Sequence, residues 1–188
     1  MTVTATTAPV GLFVGRFQPF HKGHLATVKH ALKQVGLLVI VVGSAQKSHE
    51  PRNPFTAGER IAMIKAALDA DGEIDTTRIL IIPVPDVDVH ALWTRQVDML
   101  VPKYDVVFAN DPFTLLLFRE RGVRTVEPPL VDRSRMMATE VRRRMAEGEE
   151  EGERGWEELV PAAVARMIKE MDGVERVKAV AGHREHRH

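Results

Sequence analysis

Cysteine is absent from this 188-residue chain, tyrosine occurs once, and neither charge sign is in excess. The missing thiols exclude a disulfide framework, a thiolate zinc site and a cysteine nucleophile, and they suit a reducing cytoplasm. Lys+Arg and Asp+Glu both total 26, so there is no surplus positive charge of the kind that nonspecific nucleic-acid or membrane-surface binders carry. No apolar run approaches the roughly 18 residues of a transmembrane helix, and the opening MTVTATTAP lacks the basic and apolar regions of a signal peptide. These absences lead us to expect a cytoplasmic protein with neither nucleic acid nor membrane as partner. Apolar residues make up 44% of the chain and charged ones 28%, which is ordinary globular composition and excludes wholesale disorder. At roughly 150 residues per domain the length predicts one domain. We place it at residues 10–180, with a flexible N-terminus over 1–9 and a flexible histidine-rich tail over 181–188.

Short apolar runs at residues 10–14, 37–42, 79–84 and 106–109, with a weaker one at 123–126, do not alternate with polar residues. That pattern fits strands buried on both faces of a parallel sheet. Helical spacing lies between them: Leu25, Val28, Leu32 and Val35, then Ile61, Ile64 and Leu68. Thr56 and Glu59 form a T-x-x-E capping box ahead of the second set. Further helical stretches are read at residues 91–100 and 114–121, and a last one at 161–171 with Pro161 in its first turn. The acidic run 147–155 reads as a solvated break. Strand alternating with helix predicts an α/β fold: a Rossmann-like, doubly wound parallel sheet of about five strands with a small C-terminal helical segment. Ligands of such sheets bind beyond the carboxyl ends of the strands.

Three loops carry phosphate-type chemistry. The first strand ends in GRFQPFHKGH, which places His21 and His24 three residues apart at a helix start, beside Arg16 and Lys22. Cation-capable groups at the positive pole of a helix are unfavourable unless an anion lies among them; the plainer reading is one capping and one surface histidine. The second loop, GSAQKSHEPRN, has small and polar residues that permit close backbone approach but are also common in any loop. Arg52 is its best candidate for gripping a phosphate. The third, SRMMATEVRRRM, reads with Thr139 as N-cap, Val141 and Met145 on the buried side, and Arg142 at N3. Arg143 and Arg144 read equally well as a basic face turned toward the acidic 147–153 run. After the third strand, Asp86, Asp88, His90 and Trp93 gather. Trp93 reads either as core or as a stacking platform, and two aspartates without a third anchor make a weak metal site.

GRFQPFHKGH resembles the (H/T)xGH signature of the nucleotidyltransferase superfamily, and ATEVRRR resembles its second signature, a turn ending T-x-x-R. With GSAQKSHEPRNPFTAGER and IPVPDVDVHALW between them, the set is similar to the archaeal-type nicotinamide-nucleotide adenylyltransferases, over residues 10 to about 145. The resemblance implies ATP and nicotinamide mononucleotide as partners and NAD and pyrophosphate as products, by direct in-line attack. It implies catalytic roles for His21, His24, Arg16 and Arg142. It puts ATP against Gly15, Arg16, Phe17, His21, Gly23, His24, Thr139 and Arg142, and the mononucleotide against Gln18, Ser44, Gln46, Arg52, Asp86, His90 and Trp93. Arg52 would grip the mononucleotide phosphate and Trp93 would stack on the nicotinamide ring. Mg2+ would be bound mainly through the ATP phosphates, with no metal ligand set on the protein. A homo-oligomer, in larger assemblies a hexamer, is also implied.

Two positions depart from the family pattern: His90 stands where Asn is usual, and Ala138 where Gly is common. The alternatives are another transferase of this class, such as a pantetheine-phosphate adenylyltransferase or a cytidylyltransferase, and a non-catalytic nucleotide sensor. A nucleic-acid binder is disfavoured by the zero net charge.

Overall fold

A computed structural model describes residues 8–129, 137–148 and 155–182. The N-terminus over 1–7, Ser134 to Met136 of the third loop, most of the acidic run (149–154) and the histidine-rich end over 183–188 lie outside the described residues.

The apolar runs form the strands β1 (Val10–Gly15), β2 (Leu37–Val42), β3 (Ile79–Pro83), β4 (Val106–Phe108) and β5 (Arg124–Val126). They make one sheet in the order β3-β2-β1-β4-β5, every neighbouring pair parallel. Parallel neighbours need crossovers, supplied by α1 (Lys22–Leu32), α2 (Ala57–Asp71), α3 (His90–Leu100) and α4 (Pro112–Arg119). Alternate residues of each strand feed different cores. Phe13, Leu38, Ile40, Val42 and Phe108 join Val28, Met63, Ile64 and Val141 on one face. Leu12, Val14, Val39, Val41 and Val107 join Val97, Leu115 and Phe118 on the other. The double burial holds for β1, β2 and β4. It fails at both edge strands: at β3, whose Leu80 is 41% exposed, and at β5, where no residue is buried.

The chain builds outward from β1 to β3 on one side, then returns to place β4 and β5 on the other. The reversal lies between β1 and β4, so a crevice opens at their carboxyl ends. The helix α5 (Ala138–Glu147) packs across this region with Val141 and Met145 buried. Two C-terminal helices, α6 (Ala162–Glu170) and α7 (Gly173–Gly182), lie against α2 and α5 respectively. Gly173 is required where α7 starts: a Cβ there would stand 2.9 Å from Ile168 and 3.0 Å from Phe55.

Val35 does not continue α1, contrary to its spacing. The helix stops at Leu32 because Arg78 takes up the carbonyls of Leu32, Val35 and Gly36 in the turn that follows, while Val35 stays buried. No helix among the described residues is long and apolar enough to cross a membrane.

The Thr56–Glu59 box is present in both directions, at 3.2 and 2.9 Å. The same glutamate accepts from Arg176 of α7 at 2.7 and 2.8 Å, so one side chain both caps α2 and anchors the C-terminal helix. Thr56→Ala should therefore lower the free energy of unfolding by about 1 kcal/mol. An unchanged urea midpoint would show that the cap contributes nothing.

Candidate active site

The loop after β1 turns sharply into α1. Phe17 has φ +53°, in the left-handed region that costs an aromatic residue free energy and persists only where neighbours over-determine it. Its ring lies over Gly15, where a Cβ would come within 2.8 Å of it, and meets Phe13 edge-on at 5.2 Å. Gln18 is buried, and its side-chain amide exchanges two hydrogen bonds with the backbone of Phe55, at 2.9 and 3.0 Å.

His21 is the N-cap of α1 and His24 is its N3 residue. Each ring accepts from the other's backbone: His24 N–H donates to Nδ1 of His21 at 3.3 Å, and His21 N–H donates to Nδ1 of His24 at 3.2 Å. The rings stack with centroids 3.5 Å apart. An Nδ1 that accepts a backbone proton cannot carry its own, so the proton sits on Nε2 of both rings. Burial takes His21 from the ordinary histidine value down to about 3. Burial, and then the neighbouring His21, holds His24 well below the ordinary value. The pair is thus neutral, so the crowding of cation-capable groups expected at this helix start puts no charge on the rings; and His24, bonded back to the cap, is not the surface histidine of the plainer reading.

A cavity of about 400 Å³ lies over the crevice between β1 and β4, within the roughly 300–1,000 Å³ typical of small-molecule sites. Its lining includes Gly15, Arg16, Phe17, His21, Gly23 and His24 from the first loop, Thr139 and Arg142 from α5, and Gln18. Every residue assigned to ATP by sequence therefore faces one space. Asn110, Asp111 and Pro112 at the start of α4 line it too. They were missed because Asn-Asp-Pro reads only as a turn and helix start. Within it, Asp111 caps α4 through Thr114 at 2.9 Å, whereas the side-chain oxygen of Asn110 is buried without a partner.

The third loop differs from expectation in one respect. The helix begins at Ala138 with Met137 as an N-cap that offers no side-chain bond, so Thr139 is not the cap and Arg142 is not at N3. Met137 already has extended backbone, which starts the helix two residues early. Glu140 occupies N3 instead and bonds Arg143 and Arg144, each at 2.8 Å. The bond from Arg143, and then that from Arg144, lowers its pKa to about 2. Arg143 and Arg144 are thus paired within their own helix.

Arg142 instead turns inward and donates to the Gln18 carbonyl at 2.6 Å. Burial, then Arg16, then Arg52 lower its pKa to about 10, so its guanidinium feels two others. Arg16 and Arg142 line the same cavity, and Arg52 does not; like charges beside a helix start favour an anion among them.

The residues assigned to the mononucleotide gather mainly at the neighbouring strand ends. Ser44, with φ +49°, donates to Asp86 at 3.1 Å; the Asp86 backbone donates to Gln46 at 2.9 Å; and Lys47 pairs with Asp86 at 3.3 Å. Trp93 stands next to Gly43, at 3.9 Å from where a Cβ would lie, and its indole N–H is buried without a partner. His90 opens α3, exposed and edge-on to Phe113 at 5.4 Å. Arg52 is exposed within electrostatic reach of Arg142. Among the described residues no group of three His, Asp or Glu side chains could hold a metal.

Sequence reasoning also missed Arg60. Its position was legible: with Met63, Ile64, Ala67 and Leu68 it falls on the apolar stripe of α2. An arginine in such a stripe is buried for a reason.

The parallel sheet, the switch-point crevice and the cation-lined cavity define a Rossmann-like nucleotide-binding protein. Its relatives agree. The cytidylyltransferase-like family matches residues 12–144. The nicotinamide-nucleotide adenylyltransferase of Pyrococcus furiosus is 47% identical over 171 residues, 91% of this chain and 88% of that protein. That of Ignicoccus hospitalis is 47% identical over 170 residues, 90% and 96% of the two chains. Among solved structures, a bifunctional NMN adenylyltransferase/ADP ribose pyrophosphatase of Francisella tularensis, complexed with AMP and a manganese ion, superposes with a TM-score of 0.74 at 21% identity. The match covers 94% of this chain and 54% of that one, so this chain spans about half the length of that neighbour, and the likeness establishes the fold alone. The chain belongs to the cytidylyltransferase-like family and, within it, to the nicotinamide-nucleotide adenylyltransferases.

The buried histidines make stability depend on pH with a definite sign. Their pKa values are lower in the folded protein than in the unfolded chain, so the unfolded state binds more protons below about pH 6.5. The stabilisation is complete above that value and is lost as the pH falls below it, by up to about 1.4 kcal/mol per pH unit for each ring, for His21 down to about pH 3. Urea midpoints followed from pH 7.5 to 4.5 should drop more steeply for the wild type than for His21→Asn, whose side chain caps without titrating. Parallel slopes would exclude the neutral pair.

Proposed function

We propose that this protein is a nicotinamide-nucleotide adenylyltransferase, joining ATP and nicotinamide mononucleotide to give NAD and pyrophosphate. The observation that carries the reading is that Arg16, Arg142, His21 and His24 line one cavity, the engaged Nδ1 atoms leaving Nε2–H as the donor of each ring. Among the described residues no carboxylate pairs with either guanidinium.

The reaction needs no covalent intermediate on the protein. A phosphate oxygen of the mononucleotide is already an anion at pH 7 and attacks the α-phosphorus of ATP. The bond from that phosphorus to the bridging β-phosphate oxygen breaks, and pyrophosphate departs with the electron pair. The protein aligns the two nucleotides and stabilises the charge that moves onto the leaving group. In this reading His21 and His24 donate to the phosphates around the reacting centre, Arg16 and Arg142 hold the β- and γ-phosphates, and Arg52 holds the mononucleotide phosphate. Gly15 and Gly23 permit close approach, Phe17 fixes the loop, and the α5 start at Thr139 donates to the triphosphate.

Trp93 stacks on the nicotinamide ring, with Ser44, Gln46, Asp86 and His90 around it and Gln18 bracing the floor. The indole N–H of Trp93, buried without a partner, supports a polar ligand group there. A divalent cation, Mg2+ in this proposal, enters with ATP and is held by phosphate oxygens and water. The donor set fits that role, since among the described residues the cavity lining offers a single carboxylate, Asp111, already engaged in capping.

Purified protein given ATP, Mg2+ and nicotinamide mononucleotide should release NAD and pyrophosphate in equal amounts. Turnover of phosphopantetheine instead, or ATP binding with no pyrophosphate from any acceptor, would reject the reading. His24→Ala should lower kcat by about 100- to 1,000-fold, the usual consequence of removing one preorganised donor; near-normal kcat would remove His24 from the mechanism.

We also propose a homo-oligomer, in the family manner a hexamer. Leu92 and Met99 of α3 and Phe113 and Leu116 of α4 are exposed apolar side chains, Met99 at 85%, on neighbouring helices. A monomer mass by light scattering would overturn this.

A further inference from the structure

Arg60 is a charged side chain with no solvent exposure at all. Burying a guanidinium is unfavourable unless its donors are satisfied, and here four of its five N–H groups go to backbone carbonyls of three different segments. Nη1 donates to Arg16 O at 2.8 Å and to Gly43 O at 2.8 Å; Nη2 donates to Ser44 O at 3.1 Å; Nε donates to Thr56 O at 3.2 Å. Arg16 belongs to the loop that carries the histidine pair. Gly43 and Ser44 open the loop assigned to the mononucleotide, and Thr56 caps α2. The strand ends are also joined directly, Gly43 N–H donating to Gly15 O at 2.9 Å.

These carbonyls lie where the backbone is strained. The Arg16 carbonyl precedes Phe17 at φ +53°, and those of Gly43 and Ser44 flank the left-handed Ser44 at φ +49°. Two non-glycine residues in this region, at the ends of adjacent strands, both lead to the same guanidinium. Strain of this kind persists only when the surroundings over-determine it. Burial, and then Arg16, bring the Arg60 pKa down to about 10, against a smaller opposing effect of Asp86; it remains a cation at neutral pH.

We propose that Arg60 is a positioning residue that locks the histidine loop and the mononucleotide loop to each other, setting the in-line alignment of the two bound nucleotides without touching either. This rests on the adenylyltransferase reading of the site. It distinguishes Arg60 from Arg16, Arg52 and Arg142, whose loss would weaken phosphate binding. Loss of Arg60 misplaces one bound substrate relative to the other, and a displacement of about 1 Å in a reacting pair can lower a rate by about 100-fold.

The test is Arg60→Lys, whose single ammonium can reach the Nη1 acceptors but cannot also serve Ser44 and Thr56, with Arg60→Met as the stronger lesion. In Arg60→Lys we expect kcat to fall at least about tenfold. The dissociation constants of ATP and of nicotinamide mononucleotide, each measured alone by calorimetry, should move less than about threefold. Backbone amide exchange should rise together over residues 15–20 and 43–48. Three results would each overturn the proposal: kcat within twofold of wild type, a loss confined to one nucleotide's affinity, or faster exchange in only one loop. Should Arg60→Met fail to fold, the lysine variant decides alone. If the wild-type protein makes no NAD, the functional reading fails by itself, and the exchange measurement still decides whether Arg60 couples the loops.

Discussion

The site depends on the way two histidines close the start of α1. A helix leaves its first N–H groups without partners, and the usual remedy is a serine, threonine or aspartate whose oxygen accepts one of them. Here imidazole nitrogens do that work in both directions, which fixes the tautomer of each ring as well as the helix. Because each Nδ1 is engaged by backbone, each Nε2 must carry the proton, and both rings present a donor without carrying a charge. Arg16 and Arg142 can then approach the same cavity without meeting two further cations. A serine cap would hold the helix equally well and offer no such donor.

The neutrality of the pair also bears on its suitability for an anionic ligand. Burial depresses both imidazoles, and His21 depresses His24 further. A triphosphate in the cavity would accept from the two Nε2–H groups, which can stabilise charge accumulating on a leaving group without either ring taking up a proton. Charge stabilisation of that kind is greatest in a site shielded from water.

Much of this was legible in the residues. The five apolar runs became the five strands within a residue or two of their expected bounds, because an unbroken apolar run shows where polarity resumes, even at the edge strand β3, which like β5 is not buried on both faces. The Thr56–Glu59 box is as the spacing implied. What escaped depends on contacts between segments far apart in the chain. Val35 has helical spacing but lies past the end of α1, because Arg78, more than forty residues on, captures the carbonyls there. Thr139 looked like a cap because threonine usually is one, yet the extended backbone of Met137 starts the helix earlier. The helix α7 gave little signal: it begins and ends with glycine, and of its residues only Gly173 and Val177 are buried. The histidines were found from their spacing, but their neutrality follows from a mutual bond that no spacing shows.

The site also separates charge that touches ligand from charge that touches only the protein, and composition cannot tell them apart. The arginines near the strand ends fall into three groups by partner. Arg143 and Arg144 are paired with Glu140 on their own helix. Arg60 is surrounded by backbone carbonyls. Arg16 and Arg142 face the cavity, and the one short bond Arg142 makes is to a carbonyl, not a carboxylate. A carboxylate opposite Arg142 would relieve the repulsion that lowers its pKa, but it would also occupy the position a phosphate must take. In the proposed reading a phosphate would relieve that repulsion, and the arginines bonded to protein around it would form the frame that keeps its position open.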